Sequence, residues 1–196
     1  MARMRAPERR EQLLEVAAGL FAERGYHGTT TAELAAAAGV TEPILYRHFE
    51  SKRVLFETLI EAVGAEVIAA WQQRLDGIDD PATRLRTLLD GNPATHDRGR
   101  RIYRVIFQAM SEREEKGVVR AIRRHLVRLH RFLAGELEGL QSAGVVRDDE
   151  TAAALAWLLI DVAIGYGMVT PLRGTAAMSS HGKGRMQRVL AQMLTV

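Results

Sequence analysis

The sequence predicts an all-α protein, built from a small N-terminal domain of three helices and a larger helical C-terminal domain. Apolar residues recur at three- and four-residue spacing along almost the whole chain. No segment alternates apolar and polar residues with period two, and no strand-turn-strand pattern stands out. Gly and Pro fall where the helical patterns break. A chain of 196 residues can bury a sizeable core in one or two domains.

The composition is that of an ordinary soluble globular protein, with 47% hydrophobic and 26% charged residues. The chain has no Cys, which excludes a disulfide framework and thiolate chemistry and is compatible with the reducing cytoplasm. The formal net charge of +3 permits a polyanionic partner without requiring one. Four arginines lie among the first ten residues, but no apolar stretch follows them, so a signal peptide is not expected.

The first helix is predicted from about Glu8 to Arg24, because Gly25 ends its apolar pattern. A second, short helix begins after Thr30. Its hydroxyl and the carboxylate of Glu33, three residues later, form the pattern of a capping box.

Gly39 ends the second helix, where a left-handed residue is needed and glycine adopts it at little cost. Thr41 can cap a third helix, and Pro43 falls in its first turn. Leu45 and Phe49 are four residues apart and share the inward face. The residues left on the outward face are Glu42, Pro43, Ile44, Tyr46, Arg47 and His48.

Two short helices joined by a tight glycine turn form the layout of a helix-turn-helix DNA reader. Pro43 and Ile44 can contact a thymine methyl group, and Glu42 can accept from a cytosine amine. The candidates for phosphate contacts are Tyr46, His48 and Lys52. An ordinary helical hairpin with solvated charges has the same spacing and is the alternative. The N-terminal arginines are either a solvated tip or a basic arm that reaches the DNA backbone.

Residues 8–60 resemble the N-terminal domain of the tetracycline-repressor (TetR) family of bacterial transcription regulators. The matching blocks, in order, are Phe21–Tyr26, Gly28–Thr31, Ala38–Thr41, Leu45–Phe49 and Ser51–Lys52. The resemblance implies that Thr31 and Lys52 contact phosphates and that His48 lies at the groove edge. It also implies a groove-facing set of Glu42, Pro43, Ile44, Tyr46 and Arg47. Ile44 is bulkier than the Thr or Ser often found there, so no base preference carries over.

The remaining pattern predicts further helices and a boundary between domains 1–53 and 54–196. A long helix, 52–75, connects the two domains and is the expected lever between them. Helices follow at about 81–90, 101–115, 118–142 and 151–170, and a final one begins near residue 185. Residues 173–184 are rich in Gly and Ser and are expected to form a loop.

The segment Ala152–Val169 is apolar on every side, and Asp161 is its only charge. A membrane span needs about 20 apolar residues, and a central Asp costs about 2.5–3.5 kcal/mol, so a span is not expected. Burial on all sides instead favours a homodimer with a four-helix interface, over a central helix of a monomer. The expected interface residues are Ala152, Ala156, Leu159, Ala163, Gly167, Met186, Val189, Leu190 and Met193.

Large, adaptable side chains in the C-terminal domain can form either a core or an apolar cavity for a small molecule. The resemblance also implies such an effector cavity. Its expected lining is Trp71, Tyr103, Phe107, Met110, His125, Leu129, Phe132 and Trp157. Residues 98–131 carry many arginines, which form either a solvated helix face or a surface that attracts an anionic effector.

No pattern supports an enzyme, a metal site or a cofactor. The chain has no GxSxG motif, and His125 and His130 are five residues apart, which does not suit a two-histidine metal site on a helix. We therefore expect a homodimeric, ligand-responsive transcription regulator that binds palindromic double-stranded DNA and acts as a repressor. The alternative is an all-helical small-molecule carrier or interaction module that does not bind DNA specifically.

Overall fold

The computed structural model describes residues 5–90, 103–107, 109–110, 115–169, 172 and 180–195. Regular structure in these ranges is helical, apart from one isolated antiparallel bridge between Val146 and Thr195, so the all-α fold class is confirmed. Residues 103–107 form a short helical segment. The longer helices are α1 Ala6–Arg24, α2 Thr31–Ala37, α3 Glu42–His48, α4 Lys52–Leu75, α5 Pro81–Asp90, α6 Lys116–Ser142, α7 Ala152–Val169 and α8 Ser180–Leu194.

Three helices begin earlier than their sequence patterns indicate. Helix α1 starts at Ala6 rather than near Glu8. Helix α8 starts at Ser180 rather than near Arg185, so its first turns include Gly182 and Gly184, which are tolerated in a helix although they weaken it. Helix α6 starts at Lys116 rather than near Val118, so it includes Gly117, which was expected to precede it. Most of the predicted loop 173–184, and parts of the predicted helix 101–115, lie outside the described residues.

The chain divides into two compact units. Unit 1 comprises Met1–Val63 and Arg104–His125, and unit 2 comprises Gly64–Tyr103 and Leu126–Val196. This division does not test the predicted domain boundary between residues 53 and 54, which stays a prediction.

The core of unit 1 is an aromatic cluster beneath α1 to α3. The Phe21 and Phe56 rings are 4.6 Å apart between centroids, and the Tyr26 and Phe56 rings are 5.0 Å apart. Leu34 of α2 and Leu45 of α3 are buried beside it. Because apolar burial contributes about 25 cal/mol per Å², this cluster holds α1 and the connection that follows it against α4.

The turn between α2 and α3 has the predicted left-handed glycine. Gly39 has a φ of 66°, and the N–H of Val40 donates to the carbonyl of Ala35 at 2.9 Å. Thr41 occupies the N-cap position of α3, but its side chain makes no capping hydrogen bond, so that part of the sequence interpretation was wrong.

Unit 2 contains a polar clamp and an apolar core. The guanidinium group of Arg84 donates to both carboxylate oxygens of Glu136, at 2.7 and 3.0 Å. It also donates to the carbonyls of Leu75 and Ile78, at 2.9 and 3.0 Å. The clamp thus ties α5 to α6 and to the chain that leaves α4. Nearby, the indole N–H of Trp71 donates to the carbonyl of Leu88 at 3.1 Å.

Candidate DNA-binding surface and apolar cavity

Helix α3 is anchored by two buried side chains and exposes the opposite face. Leu45 and Phe49 are each only 2% exposed, and the guanidinium of Arg10 stacks on the Phe49 ring at 4.4 Å from its centroid. Pro43, Tyr46 and Arg47 are exposed, and the other predicted DNA-contact residues, Thr31, Glu42, Ile44, His48 and Lys52, are half-buried. All eight lie at the surface of unit 1, and their contacts with DNA stay a prediction.

Two of the predicted phosphate contacts lie side by side. The Tyr46 hydroxyl donates to the Thr31 hydroxyl oxygen at 3.4 Å, which joins the start of α2 to the exposed face of α3. Hydroxyl groups of this kind are common donors to DNA phosphates. The two hydroxyl groups are therefore close enough to contact one position of the DNA backbone together.

The N-terminus of α2 is held by the predicted capping box. The Glu33 N–H donates to the Thr30 hydroxyl oxygen at 3.2 Å, and the Thr30 N–H donates to the Glu33 carboxylate at 2.8 Å. The hydrogen bonds from the backbone and hydroxyl of Thr30, with a smaller contribution from the charge of Arg24, lower the pKa of the Glu33 carboxyl. The carboxylate is thus charged at neutral pH and fixes the helix start next to Thr31.

Lys52 has partners within the chain that its sequence position does not indicate. Its ammonium group donates to the carbonyls of Tyr26 and Thr29, at 2.9 and 3.0 Å, and lies 4.3 Å from the Tyr26 ring centroid. An ammonium group has three donors, so one is left for a phosphate. Lys52 consequently joins the start of α4 to the connection between α1 and α2, whatever else it contacts.

An apolar cavity lies within unit 2. The cavity has a volume of about 40 Å³. Among its described lining residues, only two side chains have polar atoms, the Tyr103 hydroxyl and the Trp71 indole. Burial raises the pKa of Tyr103, so its hydroxyl stays neutral. The lining residues are Trp71, Leu88, Leu89, Tyr103, Leu126, Leu129, Leu133, Leu159, Ile160, Ala163, Ile164 and Leu190.

Three of the eight residues predicted for the effector cavity line it, namely Trp71, Tyr103 and Leu129. Phe132 packs against Trp71 instead, at 6.0 Å between ring centroids, and faces a separate cavity beside Arg84. Trp157 is 40% exposed and stacks on His130 at 4.6 Å.

The other three predicted residues, Phe107, Met110 and His125, belong to unit 1. Leu126 and Leu133 also line this cavity and were not among the predicted residues, although they share one α6 face with Leu129 at spacings of three and four residues.

The small-residue edge of α7 lies inside the protomer. Ala152, Ala156, Leu159 and Leu190 are buried by their own chain and can contribute little further burial to a contact between chains. Leu159, Ala163 and Leu190 line the cavity. Of the other predicted interface residues, Gly167 and Met186 are half-buried, whereas Val189 and Met193 are exposed.

Much of α7 is open. Only 28% of the segment Ala152–Val169 is buried, and the exposed residues include Trp157, Met168 and Val169. By length and mean hydropathy, 1.8, this helix is the one described candidate for a membrane span. Core helices of soluble proteins can have the same length and hydropathy. Among the described residues, no group of three or more His, Asp or Glu is arranged to hold a metal ion.

The fold and the surface define a class of helical proteins with an N-terminal helix-turn-helix. The structure of a putative transcriptional regulator from Saccharomonospora viridis, in complex with choline, superimposes with a TM-score of 0.82. It is 24% identical, over 97% of this chain and 99% of that one. This similarity shows the fold.

The family model described as bacterial regulatory proteins, tetR family, matches residues 13–59. Residues 13–59 thus form an N-terminal domain of the TetR type. The HTH-type transcriptional activator FasR of Mycolicibacterium smegmatis is 34% identical over 106 residues, 54% of this chain and 48% of that protein. The HTH-type transcriptional repressor KstR2 of Mycobacterium tuberculosis is 38% identical over 80 residues, 41% of this chain and 40% of that protein. The chain thus matches about half the length, or less, of these relatives.

Proposed function

We propose that the protein is a cytoplasmic, homodimeric transcription regulator that binds palindromic operator DNA through α3 and releases it when a small molecule binds in unit 2. The observation that carries this proposal is the anchored recognition helix, whose buried Leu45 and Phe49 leave Tyr46 and Arg47 exposed. A rigid helix with one free face of this size suits the major groove. Two such helices in a dimer would read half-sites about 34 Å apart.

DNA binding is tested first, with duplexes selected by the wild-type protein from fragments of the source genome. We expect Arg47→Ala to weaken binding about ten-fold or more, since a direct contact to DNA is worth about 1–3 kcal/mol. The matched control is Arg86→Ala, an exposed arginine of α5, which should bind as the wild type does. If wild-type protein selects no duplex, or its affinity does not fall steeply with salt, the carrier alternative replaces this proposal.

The effector is proposed to be a largely apolar, uncharged small molecule. The lining of the unit 2 cavity supports this, because none of the described residues that form it is charged. The cavity is far smaller than the roughly 300 Å³ or more of ligand sites, so binding has to widen it. An effector that prefers the widened form would shift the population of the protein away from the DNA-binding form.

Nile red is a suitable neutral probe for this cavity. We expect Ala163→Phe, which fills the cavity, to weaken Nile red binding about ten-fold, whereas Ala70→Phe on the exposed side of α4 should not. Equal binding to both variants would show that the cavity is not the ligand site.

The direction of control is proposed to be repression, as in KstR2. A reporter gene placed behind the selected operator distinguishes repression from activation.

A further inference from the structure

The segment of unit 1 that contains the helix-turn-helix, residues 1–63, has few cations available for contact with DNA. Residues 1–63 contain eight Lys and Arg but nine Asp and Glu. Several cations already have carboxylate partners: Arg24 donates to Glu33 at 2.9 Å, and Arg53 donates to Glu57 at 2.7 Å. Because protein–DNA affinity rests largely on phosphate neutralisation, this segment alone is a poor electrostatic partner for a duplex.

The second segment of the same unit has the opposite balance. Residues 104–125 contain six Lys and Arg and three Asp and Glu. Lys116, Arg120 and Arg123 of α6 are exposed. Within the described part of the chain, none of the three has a carboxylate at salt-bridge distance, whereas their neighbour Arg124 is paired with Glu61.

These three cations share one face of α6. Their spacings of four and three residues place them on one side of the helix, over a length of about 10 Å. Phosphates of one DNA strand advance by about 3.4 Å along the duplex axis. The row therefore matches about three phosphate spacings, or four successive phosphates, in length.

The contacts of α6 with α4 show which end of this row lies towards the start of α4. Gly117 lies against two side chains from the first two turns of α4, since an added Cβ would lie 2.7 Å from Arg53 Nη1 and closer still to the Glu57 carboxylate. Two turns further along α6, Arg124 donates to Glu61, which lies later in α4. The two helices thus run in the same direction here, so Lys116 lies at the end of α4 that begins with Lys52, directly after α3.

We propose that Lys116, Arg120 and Arg123 form a second phosphate-binding surface of unit 1, which contacts the backbone of duplex DNA beside the bases that α3 reads. The inference rests on the proposed DNA-binding function and adds a surface outside the helix-turn-helix. Each cation would displace condensed counterions from a phosphate, so the surface adds affinity without adding base preference.

The test compares the salt dependence of binding by the wild type and the triple variant Lys116→Gln/Arg120→Gln/Arg123→Gln. The logarithm of the binding constant for the selected duplex is measured against the logarithm of salt, between about 50 and 200 mM. Each lost phosphate contact should reduce the slope by about 0.9, so we expect a loss of at least that size. We also expect affinity at the lowest salt to fall about ten-fold or more, with unchanged thermal melting.

The matched control is Arg86→Gln/Arg128→Gln/Arg131→Gln, which removes three exposed arginines from unit 2 and should keep the wild-type slope. Shortening the duplex at both ends should weaken wild-type binding and leave the triple variant little changed. A triple variant with the wild-type slope, or an equal loss in the control, overturns the second surface alone. Failure of the wild type to bind any duplex would instead overturn the proposed function.

Discussion

Lys52 binds a segment of the chain that is distant from it in the sequence. Its carbonyl partners, Tyr26 and Thr29, precede it by 26 and 23 residues and lie between α1 and α2. Thr29 is itself buried, and its hydroxyl donates to the carbonyl of Gly25 at 2.9 Å. The resemblance to TetR proteins implied a phosphate contact for Lys52, and nothing in the local pattern indicated the two carbonyls.

Replacing Lys52 with Met removes the ammonium but keeps much of the side-chain length. We expect a loss of about 2 kcal/mol of unfolding free energy, since hydrogen bonds from a charged donor are worth about 1.5–3 kcal/mol. For a chain of this size, that loss corresponds to a fall in melting temperature of about 4–8 °C. An unchanged melting temperature with a salt slope reduced by about one would instead assign Lys52 mainly to a phosphate.

The absence of cysteine makes a rescue experiment clean. In Lys52→Cys the new thiol is unique, and aminoethylation rebuilds a lysine-like ammonium at that position. We expect aminoethylation to restore the melting temperature, whereas alkylation with neutral iodoacetamide should not. Restoration by both reagents would show that side-chain bulk, rather than charge, stabilises the connection.

Thr30 provides a second test at the residue scale. Thr30→Ala removes the hydroxyl that accepts from the Glu33 N–H, and we expect a loss of about 1 kcal/mol. The folded pKa of Glu33 is lowered, so its contribution is present above the unfolded pKa, near 4.5, and disappears as pH falls through the folded pKa. The difference in melting temperature between wild type and variant should be constant from about pH 7 to 5 and shrink below that range. A difference that grows in acid would contradict the capping role.

At the scale of elements, local periodicity predicted the helices better than their ends. Amphipathic patterns define α5 and α6 because buried leucines recur every three or four residues. The starts of α6 and α8 were less predictable, since Gly117 and Gly182 read as helix breaks. At Gly117 the reason is tertiary, because the ends of the Arg53 and Glu57 side chains occupy the space that a Cβ would take and would have to shift.

Arg84 gives a prediction for element packing in unit 2. Arg84→Ala would remove the donor of the Ile78 carbonyl, the guanidinium partner of the Glu136 carboxylate and one of two donors to the Leu75 carbonyl, in a partly buried site. We expect a loss of about 2–3 kcal/mol of unfolding free energy, measured by chemical denaturation. The matched control, Arg86→Ala two residues later, is exposed and should change stability by less than about 0.5 kcal/mol. Equal effects would show that the clamp contributes no specific stability.

At the scale of the whole molecule, the exposed apolar side chains of α7 and α8 mark a surface that a partner would cover. They include Trp157, Met168, Val189 and Met193. Exposed apolar surface of this kind is typical of contacts between proteins. A second copy of the chain is the partner that the proposed function requires, because a two-fold dimer sets the spacing of its recognition helices.

We therefore expect Val189→Asp to produce monomers, because dimerisation would bury an unpaired carboxylate. Sedimentation equilibrium measures the change directly. Val127→Asp on α6 is the matched control, since Val127 and Val189 have similar exposures of 41% and 48%, and it should remain dimeric. A wild-type protein that is monomeric, with a melting temperature independent of concentration, would remove the dimer from the proposed function.

The amino-acid sequence by itself determined the all-α class, the capped and glycine-terminated α2, and the exposed face of α3. Those features depend on hydrogen bonds and side-chain spacing within a few residues, which a linear pattern records. Only the tertiary structure decided the partners of Lys52, the lining of the apolar cavity, and which edge of α7 stays open. Each of these depends on side chains brought together from distant segments, and an apolar residue packs equally well against its own core or against a partner, so the pattern alone cannot distinguish the two.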